Sequence, residues 1–275
     1  MPDLNDCALS MESFDLTLVA GPPGVGKTTW ISQFLKDAAR PLFYLYPGAQ
    51  ASVDLARIGY CFPWVSIISD DQLARVLTDL PDQAQVFMEL GFHLDLESPL
   101  LSAYPGRRIA IVPPDLATSE WHDWADEVIP SNHSQASGAD KLPAIWRSPL
   151  TGQVFDPPSL DDVLIELTGG AYGQVMRLKG IFELPDGRAF YVDFVEGLPG
   201  IEYTELKLPR WLDGRPDRFS GLEIVGRDLE QKTIAQTVLA CCLADDVLFH
   251  YQRQYQQLQS EEETLIEESE QEVMV

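Results

Sequence analysis

The sequence predicts an α/β chain in two parts, a mostly parallel sheet covered by helices followed by a small α+β domain on an antiparallel sheet. Three observations predict it. In the first half, short apolar runs alternate with helical patterns, as in βαβ units whose strands are buried on both faces. In the second half strand patterns follow one another, two of them joined by the turn Pro185-Asp186-Gly187, before a helical pattern closes the domain. Finally, 275 residues, 45% hydrophobic at a mean hydropathy of −0.09, suffice for two modest domains with buried cores.

The first strand is expected at 15–20 (DLTLVA), stopped by the glycines and prolines that follow, with a helix over 27–37. Further strands are expected at 41–46, 85–90, 107–112 and 126–130, with helices at 70–80 and 119–126 among them. Residues 143–170 carry prolines and turn formers around a helix at 159–167 and read as a connection, which places the first domain at 1–142. Strands at 174–184, 188–195, 201–208 and 222–225 and a helix at 228–252 then make a second domain over 171–252. The remaining 253–275 hold seven glutamates against one arginine, and read as a solvated acidic tail or a frayed extension of the last helix.

Nineteen Lys and Arg against 43 Asp and Glu leave a net charge of −24, which argues against DNA, RNA or an anionic membrane as partner. No apolar run is long enough to span a bilayer, and the first residues are acidic where an export signal is basic, so a cytoplasmic protein is expected. The cysteines, Cys7, Cys61, Cys241 and Cys242, show no C-x-x-C spacing and read as reduced thiols, with at least one of the adjacent pair filling core space.

The strongest local signal is Gly21-Pro22-Pro23-Gly24-Val25-Gly26-Lys27-Thr28, which satisfies G-x-x-x-x-G-K-[ST] between a strand and a helix. Gly21, Gly24 and Gly26 let the backbone, Val25 included, curl its N–H groups toward phosphate oxygens. Lys27 supplies charge to the β and γ phosphates, the Thr28 hydroxyl suits Mg²⁺, and Thr29 is expected near the α phosphate. Glu89 and Asp115 each end an apolar strand. Glu89, followed by Gly91, is the candidate for a metal-linked role, whereas Asp115 precedes a helix and reads as a cap.

Taken with GPPGVGKTTW at 21–30, the stretches EWHDWADEVIPSN at 120–132, MRLKGIFELPDGRAFYVDF at 176–194 and LEIVGRDL at 222–229 resemble the CobW family of P-loop GTPases, relatives of the UreG and HypB chaperones. The resemblance implies a P-loop NTPase domain with a mostly parallel sheet, followed by a small α+β CobW C-terminal-like domain. It further implies GTP, with ATP as the alternative, and Mg²⁺ held by Thr28 and Glu89. Lys27, Thr28 and Glu89 become the catalytic set, with Asn132 beside the base. A transition metal passed to a protein client, and self-association into a homodimer, belong to the same implication.

Three positions depart from the family pattern. Where it has CxCC, residues 57–64 hold only Cys61, to which His93, His122 or His133 would have to add ligands. Asn132 is followed by His133, Ser134 and Gln135, so the Lys and Asp of the [NT]KxD guanine motif are missing and base preference is expected to be relaxed. In Glu89-Leu90-Gly91 the glycine comes one residue earlier than in ExxG, which predicts slow hydrolysis. A non-catalytic nucleotide-binding adaptor for a protein client is therefore the second reading. A small-molecule kinase ranks last, because Arg107 and Arg108 begin a strand and leave no arginine-rich lid.

Overall fold

The computed structural model describes residues 14–37, 39–48, 52–69, 71–72, 79–102, 104–132 and 143–273, with the backbone alone for 100, 259 and 262–273. The chain forms two compact units, Met1–Lys141 and Leu142–Val275.

In the first unit β1 (Phe14–Ala20) leads through the glycine loop into α1 (Lys27–Ser32), β2 (Leu42–Leu45), α2 (Val53–Cys61), β3 (Ser66–Ile68) and β4 (Ala84–Glu89). A short α3 (Pro99–Ser102), β5 (Arg107–Val112), α4 (Glu120–Trp124) and β6 (Glu127–Pro130) follow. The six strands lie in the order β3-β2-β4-β1-β5-β6 and every pairing is parallel. Successive strands step to one side of β1 and then to the other, so β1 sits at the topological switch point, the place beside which open parallel sheets bind ligands.

Alternation of side chains along β1 feeds two cores. Leu16, Leu18 and Ala20 pack with Val86, Met88 and Leu101, while Val19 packs on the opposite face with Ile31, Ile58, Tyr44 and Phe87. The strands therefore read as continuous apolar runs, as expected of a sheet with both faces covered. Of the expected elements, α1 is shorter. After Ser32 the backbone bonds tighten to i→i−3, Gln33 N–H to Trp30 O at 3.2 Å and Phe34 N–H to Ile31 O at 2.9 Å, and the helix ends in turns. Helix α2 and strand β3 add to what the sequence suggested, and most of the helix expected at 70–80 lies outside the described residues.

The second unit comprises β7 (Ala144–Pro149), α5 (Pro157–Thr168), β8 (Gln174–Glu183), β9 (Ala189–Val195), β10 (Glu202–Glu205), β11 (Gly221–Arg227), α6 (Gln231–Ala240) and α7 (Asp245–Val273). Its five strands run β10-β9-β8-β11-β7, all antiparallel. Leu160, Leu164 and Leu167 of α5 and Ile234 and Val238 of α6 close one face over Leu178, Phe182, Val192, Leu222 and Ile224.

Residues 143–170, expected as a connection, supply the edge strand β7 and the covering helix α5. Asp156 caps α5, accepting from the Ser159 N–H, with Pro157 in the first turn, where its missing N–H costs nothing. The single helix expected at 228–252 is two, because tertiary hydrogen bonds claim the chain between them. The Asp156 N–H donates to Cys241 O at 2.9 Å and the Leu243 N–H to Val154 O at 2.8 Å, drawing 241–244 away from the helical path. Helix α7 then continues to Val273, through most of the stretch expected as an acidic tail.

The loop before β11 is pinned by arginines. Arg215 donates to Gly152 O, Leu243 O and Asp245 Oδ1, and Arg218 donates to Pro209 O, Gly187 O and both oxygens of Glu183. No helix among the described residues is long and apolar enough to cross a membrane.

Candidate functional site

Immediately beyond β1 the chain needs backbone that side chains resist. Gly21 has φ +142°, and a Cβ there would stand 2.0 Å from the carbonyl oxygen of Ile111 in β5. Here glycine is demanded by space. Gly24 and Gly26 have φ +81° and +91°, the left-handed region, but a Cβ on Gly26 would meet nothing within 4 Å, so that position needs glycine for its dihedral angle and faces open space. Gly26 is also the N-cap of α1, whose first i→i−4 bond runs from the Trp30 N–H to Gly26 O at 2.8 Å. The N–H groups of Lys27, Thr28 and Thr29 therefore precede the helical ladder. Val25 turns its side chain into the core at 3% exposure, leaving only its backbone for a ligand.

Lys27 is buried, and its ammonium donates to Gly21 O at 2.9 Å and Pro22 O at 3.0 Å, folded back over the loop. Thr28 points the other way. Its Oγ1 lies 3.0 Å from Glu89 Oε1 and 3.4 Å from Asp54 Oδ1, and since a hydroxyl has one proton, the nearer Glu89 takes the better bond. Asp54 and Glu89 are each 2% exposed. The second oxygen of Glu89 accepts from the hydroxyl of Tyr44, which is wholly buried in β2, at 2.9 Å. Burial first, then the charges of Glu89 and Asp54, push the Tyr44 phenol well above its ordinary range, so it remains a donor.

The structure thus brings together Gly21, Gly24, Gly26, Lys27, Thr28 and Glu89. Thr29 is exposed in the first turn of α1, and Asn132 is exposed just past the carboxyl end of β6, whose position is set by Ser131 N–H donating to Val112 O at 2.7 Å. Asp115 sits in an exposed turn. The N-cap of α4 is Ser119, whose hydroxyl is 2.8 Å from His122 Nδ1, so the cap expected at Asp115 is not formed there.

Two members of the site escaped sequence reasoning, Asp54 and Tyr44. The available signal for Asp54 was local: Ser52 caps α2 by accepting from Leu55 N–H, which puts a carboxylate into the first helical turn at a buried position. Tyr44 lay inside an expected strand with nothing to mark it.

For a transition metal the described residues offer less. Cys61 ends α2 at the surface with its thiol pushed up by partial burial, and His93 lies against Gly91, where a Cβ would be 2.5 Å from the imidazole Cε1. Cys242 is also partly buried, and burial pushes its thiol up to about 11. Among the described residues no group of three or more His, Cys, Asp or Glu could hold a metal ion. Cys7, His133, Ser134 and Gln135 lie outside the described residues.

Residues 151–242 match the family described as cobalamin synthesis protein cobW C-terminal domain, which bears out the resemblance drawn from the sequence. No curated protein matches the chain. Among solved structures, the Zn(II)-bound YjiA GTPase from E. coli is similar at 12% identity over 84% of this chain and 99% of that one, with a TM-score of 0.29. A Zn(II)-bound triple mutant of YjiA GTPase is similar at 13% identity over the same shares, again with a TM-score of 0.29.

Proposed function

We propose that the chain binds a nucleoside triphosphate with Mg²⁺ at the switch point of its parallel sheet, as a CobW-type GTPase with a metallochaperone-like or assembly-factor role in the cytoplasm. The observation that carries the reading is the Thr28 hydroxyl held against two buried carboxylates directly behind a loop of three glycines. Hydroxyl and carboxylate oxygens are the hard donors Mg²⁺ takes, and the cation bound there supplies positive charge to bridging phosphate oxygens. Lys27 would exchange the carbonyls of Gly21 and Pro22 for phosphate oxygens, and the N–H groups at the start of α1 would bind the remaining phosphate charge.

Base recognition at Asn132 lacks the charged bidentate partner of the family motif. Losing such a pair removes roughly 1–3 kcal/mol of discrimination. In competition against a labelled triphosphate with Mg²⁺ present, GTP and ATP are expected to differ by no more than about tenfold. Failure of both to compete overturns the reading. A ratio above about a thousand means that a base-selective contact exists elsewhere.

A second reading, the non-catalytic adaptor, is favoured by the surroundings of Gly91. The space beside its Cα is filled by the His93 ring and the Tyr46 hydroxyl, the latter 3.1 Å from where a Cβ would stand. Tight binding without turnover under any divalent metal selects the adaptor. Turnover that rises with Zn²⁺ or Co²⁺ selects the metal-linked GTPase.

A further inference from the structure

Glu89 is held from two sides, and the second side belongs to no part of the phosphate-binding loop. Its Oε1 faces Thr28 and its Oε2 faces the hydroxyl of Tyr44. Asp54 approaches the same Thr28 hydroxyl, so two buried carboxylates converge on one side chain. Tyr44 is placed to fix the orientation of the Glu89 carboxylate. It sits on β2 in register with Phe87 of the neighbouring β4, two residues before Glu89, and its ring is wholly buried among Ile31, Ile58 and Phe87. A packed aromatic ring has few rotamers, and a phenol buried this deeply would be costly without the bond it makes.

We propose that Tyr44 is a positioning residue for the divalent cation: by donating to Oε2 it sets the plane of the Glu89 carboxylate and reserves Oε1 for the cation beside Thr28. The inference rests on the nucleotide and Mg²⁺ reading above and deepens it. Hydrogen bonds that orient a ligating carboxylate typically change metal affinity about 10- to 100-fold.

The test is a titration of the full chain with a fluorescent GTP analogue, first in EDTA and then at rising Mg²⁺. In Tyr44→Phe the Mg²⁺ concentration giving half of the metal-dependent gain is expected to rise about tenfold, while affinity in EDTA stays within about twofold. p-Aminophenylalanine at position 44, which keeps a donor, should restore most of the loss. In a Glu89→Gln background, adding Tyr44→Phe should leave the Mg²⁺ requirement unchanged.

An unaltered Mg²⁺ requirement in Tyr44→Phe, with a normal Mg²⁺ gain in the parent chain, overturns the positioning role alone. Equal weakening with and without Mg²⁺ that persists beside Glu89→Gln assigns Tyr44 to packing and overturns it as well. Absence of any Mg²⁺ gain in the parent chain overturns the underlying reading and this inference together. Should Tyr44→Phe melt before it can be titrated, p-aminophenylalanine at position 44 carries the comparison, and a Mg²⁺ requirement about tenfold above the parent's there, with affinity in EDTA unchanged, overturns the role.

Discussion

Arg218→Ala should destabilise the C-terminal unit by about 3–5 kcal/mol, the range for breaking a buried ion pair by removing one partner. The guanidinium forks onto Glu183, Nε to Oε1 and Nη2 to Oε2 both at 2.6 Å, and Glu183 is 1% exposed at the end of β8. Removing the arginine leaves a buried carboxylate without its counter-charge. It also takes one donor from Pro209 O and one from Gly187 O, the latter still accepting from the Trp211 N–H, so the tie between the loop before β11 and the β8–β9 hairpin is weakened. For a unit of this size a loss of that order lowers the melting temperature by roughly 10–20 °C. Circular dichroism melts of the full chain are the measurement, and a shift below about 3 °C sinks the assignment. Arg218→Lys should recover little, because an ammonium cannot make the fork. Replacing the pair together, Glu183→Leu with Arg218→Met, should sit close to the parent, since the cost lies in the orphaned charge more than in the absence of the pair.

What the sequence made legible follows physical range. The strand, glycine loop and lysine of the phosphate cradle lie within fifteen residues, and the demands on them are local: a stop after β1, left-handed backbone at Gly24 and Gly26, no room for a side chain at Gly21. Glu89 was legible because it ends a strand that pairs directly with β1, with Val19 in register with Glu89. Asp54 and Tyr44 were not. Their contacts with Thr28 and Glu89 span 26 and 45 residues of chain, so the Ser52 cap marks where Asp54 lies in its helix without marking the site it joins, and nothing beside Tyr44 marks its contact.

The misjudged elements of the second unit share a cause. Strand β7, AIWRSP, shows no alternation because it is an edge strand with partly exposed residues. The break between α6 and α7 is written in the partners that residues 154 and 156 provide from elsewhere, while the run itself looks helical throughout. The hairpin at Pro185-Asp186-Gly187 was legible because the turn's requirements are contained in the turn, Gly187 having φ +80°.

Lys27→Ala should weaken triphosphate binding about 100- to 1000-fold, equivalent to roughly 3–4 kcal/mol. Lys27 is 7% exposed, so much of the dehydration of its ammonium is already met by the carbonyls of Gly21 and Pro22. A phosphate therefore gains a charge–charge interaction at little further desolvation, and two unit charges about 4 Å apart interact by about 4 kcal/mol at an effective dielectric constant near 20. Two features separate this loss from that of Tyr44→Phe. It should appear equally in EDTA and in Mg²⁺, because the lysine acts on phosphate directly and not through the cation. It should also be accompanied by a shallower salt dependence, since an ionic contact has been removed. Lys27→Arg should rescue little, because the fork is wider than the space between two backbone carbonyls that now holds a single nitrogen. Isothermal titration with GTP and ATP is the measurement, and a loss smaller than about fivefold for both would mean that the triphosphate is bound elsewhere in the chain.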